Sequence, residues 1–367
     1  MLIVNNSYSK SPEFDDPHKW LRRINFYTGV LEQLAINNKV VSIERINYEG
    51  EYFQNKVHYH FVRQKNKVGL FPFKTHRFIK KLKPDVVLIN GFIFPLQIIQ
   101  LRIFVGRSVK IIILHRAEKP FSKWKKYLQK LADKCVNAYL FASAEFGKDW
   151  IEKGIIDDQK KVFEGMQSSS SFHPKNRNDA KLATGVLGNP VFLWVGRLNA
   201  NKDPVTVVKA FIQFLSFRPM AKLYMIFQSS ELLKAIHSLI EHDAKAIESI
   251  VLVGPVNHEQ MLNWYNSSDF IISSSHYEGS GIAVCEAMSC GCVPIVTDIF
   301  SFRRMTGPNK CGLLYEAGNA DDLFSVLLRA AEMNIETERE KTLKQFRQQL
   351  SFEAITEKIQ TLIRSLE

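Results

Sequence analysis

The feature that most constrains the fold is a repeated alternation of short apolar runs with longer segments of helical period, such as 17–37 and 120–134. Several runs are rich in Val, Ile and Leu and lack the two-residue alternation of a half-exposed strand, which is typical of a parallel sheet covered on both faces. The predicted strands are 2–5, 39–44, 85–90, 109–114 and 138–143, and then 190–196, 222–227, 249–254, 269–274 and 293–298. Two such series predict an α/β protein with two doubly wound domains.

The boundary between these domains is predicted in the polar stretch 166–185, which has no sustained apolar period. A length of 367 residues also favours two domains over one. We expect a first domain over 1–175 and a second over 176–350, with an amphipathic final helix, 351–367, that packs back on the first. The serine run 168–171 has two interpretations, a plain linker or a loop that faces the cleft between domains, and the residues alone leave both open.

Cysteine use and hydropathy favour a cytoplasmic protein. The five cysteines are odd in number and lack paired metal-ligand spacing. Cys290 and Cys292 flank one glycine, where small buried side chains are a better interpretation than a metal or redox site. The N-terminus lacks the long apolar core of a signal peptide. The most apolar stretch, 86–105, contains Asn90, Pro95 and Arg102, which suit a strand, a turn and an amphipathic helix better than a membrane span.

Two acidic residues, Glu278 and Glu286, lie eight positions apart in HYEGSGIAVCEAMSCG, residues 276–291. The segment follows a predicted strand and opens a helix near Ile282, the place where open parallel sheets bind ligands. The turn between strand and helix contains Gly279, Ser280 and Gly281. Glycines let the backbone approach a ligand, and the free N–H groups of a helix N-terminus favour a phosphate. Two carboxylates that accept hydrogen bonds from hydroxyls suit a sugar and a ribose on either side of a diphosphate.

Basic residues for such a diphosphate occur in VGRLNANKDP, residues 195–204. Arg197 directly follows a strand that ends at Gly196, and Lys202 precedes a helix. A guanidinium can bind two phosphate oxygens at once, whereas an ammonium acts as a point charge. Either residue alone would more often cap a helix or pair with Asp203. Beside the two glutamates, a diphosphate site is the better interpretation.

The motifs GRLNANKDP, EGSGIAVCE, AMSCGCVPIVTD and CGLLYEAGNADDL occur in an order that resembles family 4 of the glycosyltransferases, retaining enzymes of the GT-B fold. The resemblance covers nearly all of the second domain and implies two Rossmann-like domains that face each other across a cleft. It implies that Arg197 and Lys202 contact the diphosphate of a UDP- or GDP-sugar, that Glu286 holds the ribose, and that Glu278 meets the transferred sugar. The implied donor-binding set is Gly196, Arg197, Lys202, Glu278, Gly279, Ser280, Gly281, Ile282 and Glu286.

The first domain resembles the same family in PDVVLINGFIFP, residues 84–95, and ILHRAEKP, residues 113–120. His115 ends a predicted strand, and the resemblance implies that it faces the cleft near the donor sugar. Glu118 is a candidate for contact with the acceptor, or else for a salt bridge to its basic neighbours. The implied catalytic set is His115, Glu278, Arg197 and Lys202. No D-x-D motif occurs, so we expect no required metal and no cofactor beyond the donor.

The leading functional hypothesis is therefore a hexosyltransferase-type enzyme of cell-surface polysaccharide or glycolipid synthesis. It would move a sugar, with retention, from a nucleotide diphosphate donor to an acceptor hydroxyl. One alternative keeps the fold but hydrolyses or epimerises the sugar nucleotide. Another is a basic nucleic-acid-binding module, because the net charge is +12 and the pI is near 9.3. No aromatic-and-basic strand pattern or zinc framework supports that module, so no nucleic-acid partner is expected.

Charge is divided unevenly along the chain. Residues 1–175 contain 30 Lys and Arg against 16 Asp and Glu, whereas the remainder contains 19 against 21. The excess concentrates in 63–84 and 119–134. In the second stretch an apolar stripe of Phe121, Trp124, Leu128 and Leu131 accompanies Lys123, Lys125, Lys126, Lys130 and Lys134. We expect the stripe to pack on the sheet. The lysines suggest peripheral binding to the anionic inner face of the membrane, where a lipid-linked acceptor sugar would lie.

Overall fold

The computed structural model describes residues 1–63 and 71–367 and divides into two compact units. The first unit comprises Met1–Ser169 together with Phe352–Glu367, and the second comprises Ser170–Ser351. Each unit has its own sheet and its own buried apolar core. The predicted α/β architecture with two doubly wound domains is confirmed.

The sheet of the first unit has eight strands in the order β3-β4-β2-β1-β5-β6-β7-β8, and all neighbours are parallel except β3 and β4. The strands are β1 Leu2–Ser7, β2 Lys39–Glu44, β3 Gly50–Gln54, β4 Val57–Phe61, β5 Val86–Asn90, β6 Lys110–Leu114, β7 Ala138–Phe141 and β8 Val162–Glu164. Strand β5 is buried along its whole length and β6 is buried from Ile111 to Leu114, as their apolar sequences predict. The β3–β4 hairpin was not predicted, because it lies at the sheet edge and lacks an unbroken buried run: β3 alternates partly exposed and exposed residues, and β4 alternates buried and partly exposed ones.

The helices of the first unit cover both faces of this sheet. They are α1 Pro17–Arg23, α2 Asn25–Leu34, α3 Phe73–Leu82, α4 Pro95–Val105, α5 Lys125–Asp133, α6 Ala144–Glu152 and the C-terminal helix Phe352–Arg364. The single helix predicted over 17–37 is broken at Ile24. The C-terminal helix packs on α2, where the Phe352 ring occupies the space beside Gly29 that a Cβ atom would need.

The second unit has a six-stranded, fully parallel sheet in the order β11-β10-β9-β12-β13-β14. Its strands are β9 Val191–Gly196, β10 Lys222–Phe227, β11 Ile250–Gly254, β12 Phe270–Ser273, β13 Val293–Thr297 and β14 Leu313–Tyr315. Its helices are α7 Arg177–Thr184, α8 Pro204–Leu215, α9 Leu233–Ile240, α10 Ala244–Ser249, α11 His258–Ser267, α12 Ile282–Ser289, α13 Phe300–Thr306, α14 Ala320–Ala331 and α15 Ile335–Gln349. Helix α7 lies within the stretch 166–185, which the sequence pattern had left without an element.

Strands β9 and β12 are neighbours in this sheet, with Phe192 opposite Phe270. Helix α8 follows β9 and helix α12 follows β12. Because carboxyl ends of parallel strands meet at one edge of a sheet, the β9–α8 and β12–α12 loops come together there. These loops carry the residues predicted to bind the donor.

The lysine-rich segment around α5 differs from its prediction. Trp124 is 66% exposed and Leu131 is 50% exposed, so the expectation that the stripe packs on the sheet is wrong for both. The buried face instead carries polar groups that find partners. Gln129 donates to the Phe92 carbonyl at 3.0 Å, and Asp133 accepts the Tyr139 hydroxyl at 2.8 Å. Of the other basic stretch, 63–84, residues 64–70 lie outside the described residues.

The apolar stretch 86–105 splits into β5 and α4. Within residues 1–63 and 71–367, no helix combines the length and the hydropathy that a bilayer crossing needs. All five cysteines are free thiols, and Cys290 and Cys292 are fully buried.

Candidate active site

The two loops that carry the predicted donor-binding residues are joined by hydrogen bonds. Asn201 Nδ2 donates to the Tyr277 carbonyl at 3.1 Å, and the backbone N–H of His276 donates to the Asn201 carbonyl at 2.9 Å. Ser274 Oγ donates to the Lys202 carbonyl at 2.5 Å. The β9–α8 and β12–α12 loops therefore hold each other in place before any ligand arrives.

Asp203 reinforces this connection from an unfavourable backbone conformation. Its φ of 40° lies in the left-handed region, which costs a residue with a side chain about 1 to 3 kcal/mol. In return its carboxylate accepts the Thr206 hydroxyl at 2.7 Å, caps α8, and lies 3.1 Å from His276 Nε2. Pro204 then starts the helix. The preceding residue, Lys202, is thereby directed toward the β12–α12 loop.

Lys202 and Glu278 form an ion pair between the two loops, from Nζ to Oε1. Ser275 Oγ donates to the same carboxylate oxygen at 3.0 Å. The side chains are 29% and 15% exposed, so both stay within reach of a ligand. An ammonium has three N–H donors, and this ion pair leaves others for a phosphate. Lys202, which is predicted to bind a phosphate, and Glu278, which is predicted to bind the sugar, thus neutralise each other's charge in this structure.

Arg197 is exposed at the end of β9. In the described part of the chain its guanidinium has no hydrogen-bond or ion-pair partner, and its carbonyl accepts the Asn199 N–H at 2.8 Å. Gly196 before it is confined, because a Cβ atom there would lie 3.0 Å from the Trp194 ring. A guanidinium without a protein anion is available to an anionic ligand.

The N-terminus of α12 is open. Gly281 is its N-cap residue, with φ of 50°, and a Cβ atom there would lie 2.6 Å from the Phe302 ring. No side chain in the described residues caps this helix, and its first turn contains no acidic residue. Gly279, Ser280 and Ile282 are half-buried around it. The free N–H groups and the helix dipole favour an anion at this point.

Glu286 lies one turn into α12 and is 7% exposed. Tyr265 donates its hydroxyl to Oε2 at 2.9 Å, and His258 Nε2 lies 2.7 Å from Oε1. Sequence reasoning missed both partners. They lie seven positions apart on α11, hence on one face of that helix, but nothing in the sequence indicates that this face meets α12.

His115 lies inside the first unit, with its side chain 1% exposed. Its ring packs 4.3 Å from Phe141 and 5.1 Å from Trp150, centroid to centroid. The Ala117 N–H donates to Nδ1 at 3.2 Å, which leaves the proton on Nε2, 3.4 Å from Glu118 Oε2. Burial lowers the pKa of His115 to about 3, so the imidazole is neutral. A contact between His115 and a donor sugar stays a prediction.

Glu118 is also turned inward. Its carboxylate accepts the backbone N–H of Arg116 at 2.8 Å, and its Oε1 occupies the space where Gly91 would carry a Cβ atom. Burial raises the pKa of Glu118. In this structure Glu118 fixes the loop after β6, and acceptor contact stays a prediction.

Comparison with known sequences identifies the second unit. Residues 177–349 match the family described as "Glycosyl transferases group 1". The D-inositol 3-phosphate glycosyltransferase of Arthrobacter sp. is 26% identical over 164 residues, 43% of this chain and 37% of that protein. The lipopolysaccharide core biosynthesis mannosyltransferase LpsB of Rhizobium meliloti is 25% identical over 244 residues, 64% of this chain and 65% of that protein. The chain thus spans 37% to 65% of the length of these relatives.

Comparison with solved structures extends the likeness to the whole chain. HepE of Anabaena, in complex with UDP, superposes with a TM-score of 0.75 at 14% sequence identity, covering 100% of both chains. At that identity the likeness is one of fold, and the fold is GT-B, as predicted. The resemblance predicted from the sequence motifs is confirmed as well, since residues 177–349 match the glycosyl transferases group 1 family.

Proposed function

We propose that the chain is a retaining glycosyltransferase that moves a sugar from a nucleoside diphosphate sugar to an acceptor hydroxyl. One observation carries the proposal. Arg197, an exposed guanidinium with no anionic partner among the described residues, lies on a loop hydrogen-bonded to the loop before helix α12, which no described side chain caps. Two carboxylates, Glu278 and Glu286, belong to the same loop and helix. The same two loops thus carry positive charge that could bind a diphosphate and carboxylates that could accept hydrogen bonds from sugar hydroxyls.

The arrangement suits the charge changes of glycosyl transfer. When the bond from the anomeric carbon to the diphosphate breaks, negative charge grows on the leaving phosphate. Arg197, Lys202 and the N–H groups of α12 would stabilise that charge, and donors fixed in advance are the most effective. Glu278 would accept hydroxyls of the transferred sugar, and Glu286 those of the ribose. In this proposal the positively charged groups of the site bind the leaving nucleoside diphosphate.

The roles of the two glutamates can be separated by measurement. Glu286→Gln is expected to weaken binding of free UDP or GDP, whereas Glu278→Gln is expected to reduce turnover of the intact donor and leave free nucleotide binding near normal. Calorimetry and initial rates on both variants test this division. Equal losses of free nucleotide affinity in the two variants would contradict it.

Hydrolysis or epimerisation of a sugar nucleotide is the competing reaction on the same fold. A thermal-shift screen of UDP- and GDP-sugars identifies the donor, because a ligand stabilises the fold by an amount set by its concentration over its dissociation constant. Consumption of that donor is then followed with and without candidate acceptors. Glycosyl transfer requires that consumption depend on the acceptor. Equal consumption without it would favour hydrolysis.

A lipid-linked acceptor is proposed as well, with peripheral binding to an anionic membrane. The relative LpsB is named for lipopolysaccharide core synthesis. Near α5, the exposed apolar side chains Trp124, Tyr127 and Leu131 stand among lysines. Aromatic side chains suit the interfacial region of a bilayer, and each nearby basic side chain contributes about 1 kcal/mol on anionic lipid.

Vesicle sedimentation tests this contact. Anionic vesicles are expected to bind the protein at low salt and to release it at high salt. A variant with Lys123, Lys125, Lys126 and Lys130 changed to Gln should lose most of this binding. A matched control changes four exposed lysines of the second unit, Lys209, Lys234, Lys245 and Lys344, to Gln. An equal loss of vesicle binding in both variants would mean that binding depends on the net charge of the protein and not on this lysine cluster. No vesicle binding at low salt would favour a soluble acceptor.

A further inference from the structure

The carboxylate of Glu286 is held from both sides by one helix. Tyr265 and His258, two turns apart on α11, each contact a different oxygen, at 2.9 Å and 2.7 Å. The Tyr265 side chain is fully buried, and its pKa is raised well above its ordinary value, chiefly by burial, so its hydroxyl remains a donor. The His258 side chain is 56% exposed. One partner is therefore a buried anchor, and the other lies where a ligand could reach the carboxylate.

These two contacts leave the carboxylate able to bind more. Each carboxylate oxygen offers two lone-pair directions, of which Tyr265 and His258 use one apiece. Counting partners in the described part of the chain, one direction remains on Oε1 and one on Oε2. Two hydroxyls on adjacent carbons could occupy both at once, as the 2′ and 3′ hydroxyls of a ribose would. A single hydroxyl could use only one.

The orientation of Oε1 depends on His258 in particular. The terminal torsion of a glutamate is broad and roughly two-fold, so the carboxylate plane is not fixed by rotamer preference. Tyr265 fixes one oxygen and still allows rotation about that contact. The second contact removes this freedom. The His258 ring is itself restrained, since it stacks on Phe172 with a centroid distance of 5.0 Å and an interplanar angle of 28°.

We propose that His258 is a positioning residue that aims Oε1 of Glu286 at the nucleoside, and that it thereby makes the site select a ribonucleotide with both ribose hydroxyls over a 2′-deoxynucleotide. This inference rests on the proposed function, in which Glu286 binds the ribose. The imidazole acts through the carboxylate: an N–H at Nε2 donates to Oε1, and no bond is made or broken.

Two substitutions separate the hydrogen bond from the ring. His258→Phe keeps a ring that can stack on Phe172 but has no N–H, whereas His258→Gln has an N–H donor without the ring. His242→Phe, at a side chain 80% exposed, is the matched control. All four proteins are titrated calorimetrically with UDP, GDP and their 2′-deoxy forms. Far-ultraviolet circular dichroism and the melting temperature check that each variant is folded.

The wild type is expected to bind the ribonucleotide about tenfold more tightly than its 2′-deoxy form, the scale of one well-placed hydrogen bond. His258→Phe should lose most of this ratio, and His258→Gln should retain most of it. The inference would be overturned if His258→Phe left the ratio of the two affinities unchanged, or if it weakened binding of the ribonucleotide and of the 2′-deoxynucleotide equally. In the latter case the residue would act on binding as a whole.

Failure of the inference and failure of the proposed function give different results. If Glu286→Gln abolishes the ribose preference and His258→Phe does not, Glu286 binds the ribose without help from His258 and only the inference falls. If the wild type binds neither nucleotide, or if Glu286→Gln leaves the ratio unchanged, the assignment of the ribose to Glu286 is itself wrong.

Discussion

The carboxyl edges of the two sheets are both rich in charge, but they use it differently. In the first unit, buried Glu44 accepts hydrogen bonds from Trp20 Nε1 at 3.1 Å, and from Tyr27 and Ser42 at 2.7 Å each. Arg116 bonds to Asn90 and lies over the Tyr27 ring. In the second unit, Arg197 is exposed without a partner among the described side chains, and α12 has no capping side chain there.

The difference shows why charge at a sheet edge does not by itself mark a ligand site. A buried charge that already has hydrogen-bond partners contributes to the fold, because losing a partner leaves a polar group unsatisfied. An exposed cation without a protein partner contributes little to the stability of the fold, whether or not a ligand is bound. We therefore expect substitutions at the first edge to change stability, and substitutions at the second edge to change ligand binding and turnover.

The largest expected effect is at Arg197. Arg197→Ala or Lys202→Ala should cost about 2 to 4 kcal/mol of transition-state stabilisation, roughly a thirty- to a thousandfold loss in kcat/KM, because each would remove a positive group that we propose lies at the leaving phosphate. Initial rates with the donor found by thermal shift measure this. Arg218→Ala, which removes an exposed arginine paired with Glu332, is the control. Near-normal turnover in both site variants would contradict the comparison.

A second test sets a glycine of the site against a glycine elsewhere. Gly281→Ala and Gly154→Ala both place a side chain at positive φ, 50° and 62°, which costs roughly 1 to 2 kcal/mol. Only at Gly281 would the Cβ atom also meet a ring, that of Phe302, whereas nothing lies within 4 Å at Gly154. Urea unfolding should show the larger loss for Gly281→Ala, together with weaker nucleotide binding. Similar losses would mean that the α12 turn is not confined.

The third test compares two carboxylates. Glu44→Gln should lower the free energy of unfolding by about 1 to 3 kcal/mol, because three donors then face a group with one accepting oxygen fewer. Glu278→Gln, at a partly exposed ion pair, should change it by less than about 1 kcal/mol. Chemical denaturation at neutral pH measures both. A larger loss of stability in Glu278→Gln than in Glu44→Gln would show that the charged groups at the carboxyl edge of the first sheet do not contribute mainly to stability.

The last effect appears only in acid. Burial lowers the pKa of His115 to about 3, so the folded state holds it neutral, whereas in the unfolded chain it titrates near its ordinary value of 6.5. Its contribution to stability is present above about pH 6.5 and is lost as the pH falls toward 3, by on the order of 1 kcal/mol per pH unit. His115→Gln should flatten stability against pH between 6.5 and 5, and His242→Gln should not. Parallel curves of stability against pH for the wild type and His115→Gln would contradict a buried, neutral His115.

The sequence predicted most of what depends on local pattern. Unbroken apolar runs located the buried strands β5 and β6, and the motifs GRLNANKDP and EGSGIAVCE located the β9–α8 and β12–α12 loops. The orientation of α5 could not be predicted, because it follows from partners of Gln129 and Asp133 that are distant in sequence. The anchors of Glu286 were missed for the same reason, since α11 precedes α12 by a strand and a loop. The local sequence pattern predicts secondary-structure elements and loops. Contacts between elements that are distant in sequence decide which polar groups remain available to a ligand.

A thermodynamic cycle tests most directly whether Arg197 belongs to a diphosphate site in the second unit. The full chain and its Arg197→Ala variant are titrated with UDP and uridine, or with GDP and guanosine, by calorimetry. We expect the wild type to prefer the diphosphate to the nucleoside by about a hundredfold or more, the scale of charge-assisted hydrogen bonds to phosphate. Arg197→Ala should lose most of that preference and leave nucleoside affinity unchanged. An unchanged preference, or an equal loss of affinity for diphosphate and nucleoside, would show that Arg197 does not bind the diphosphate.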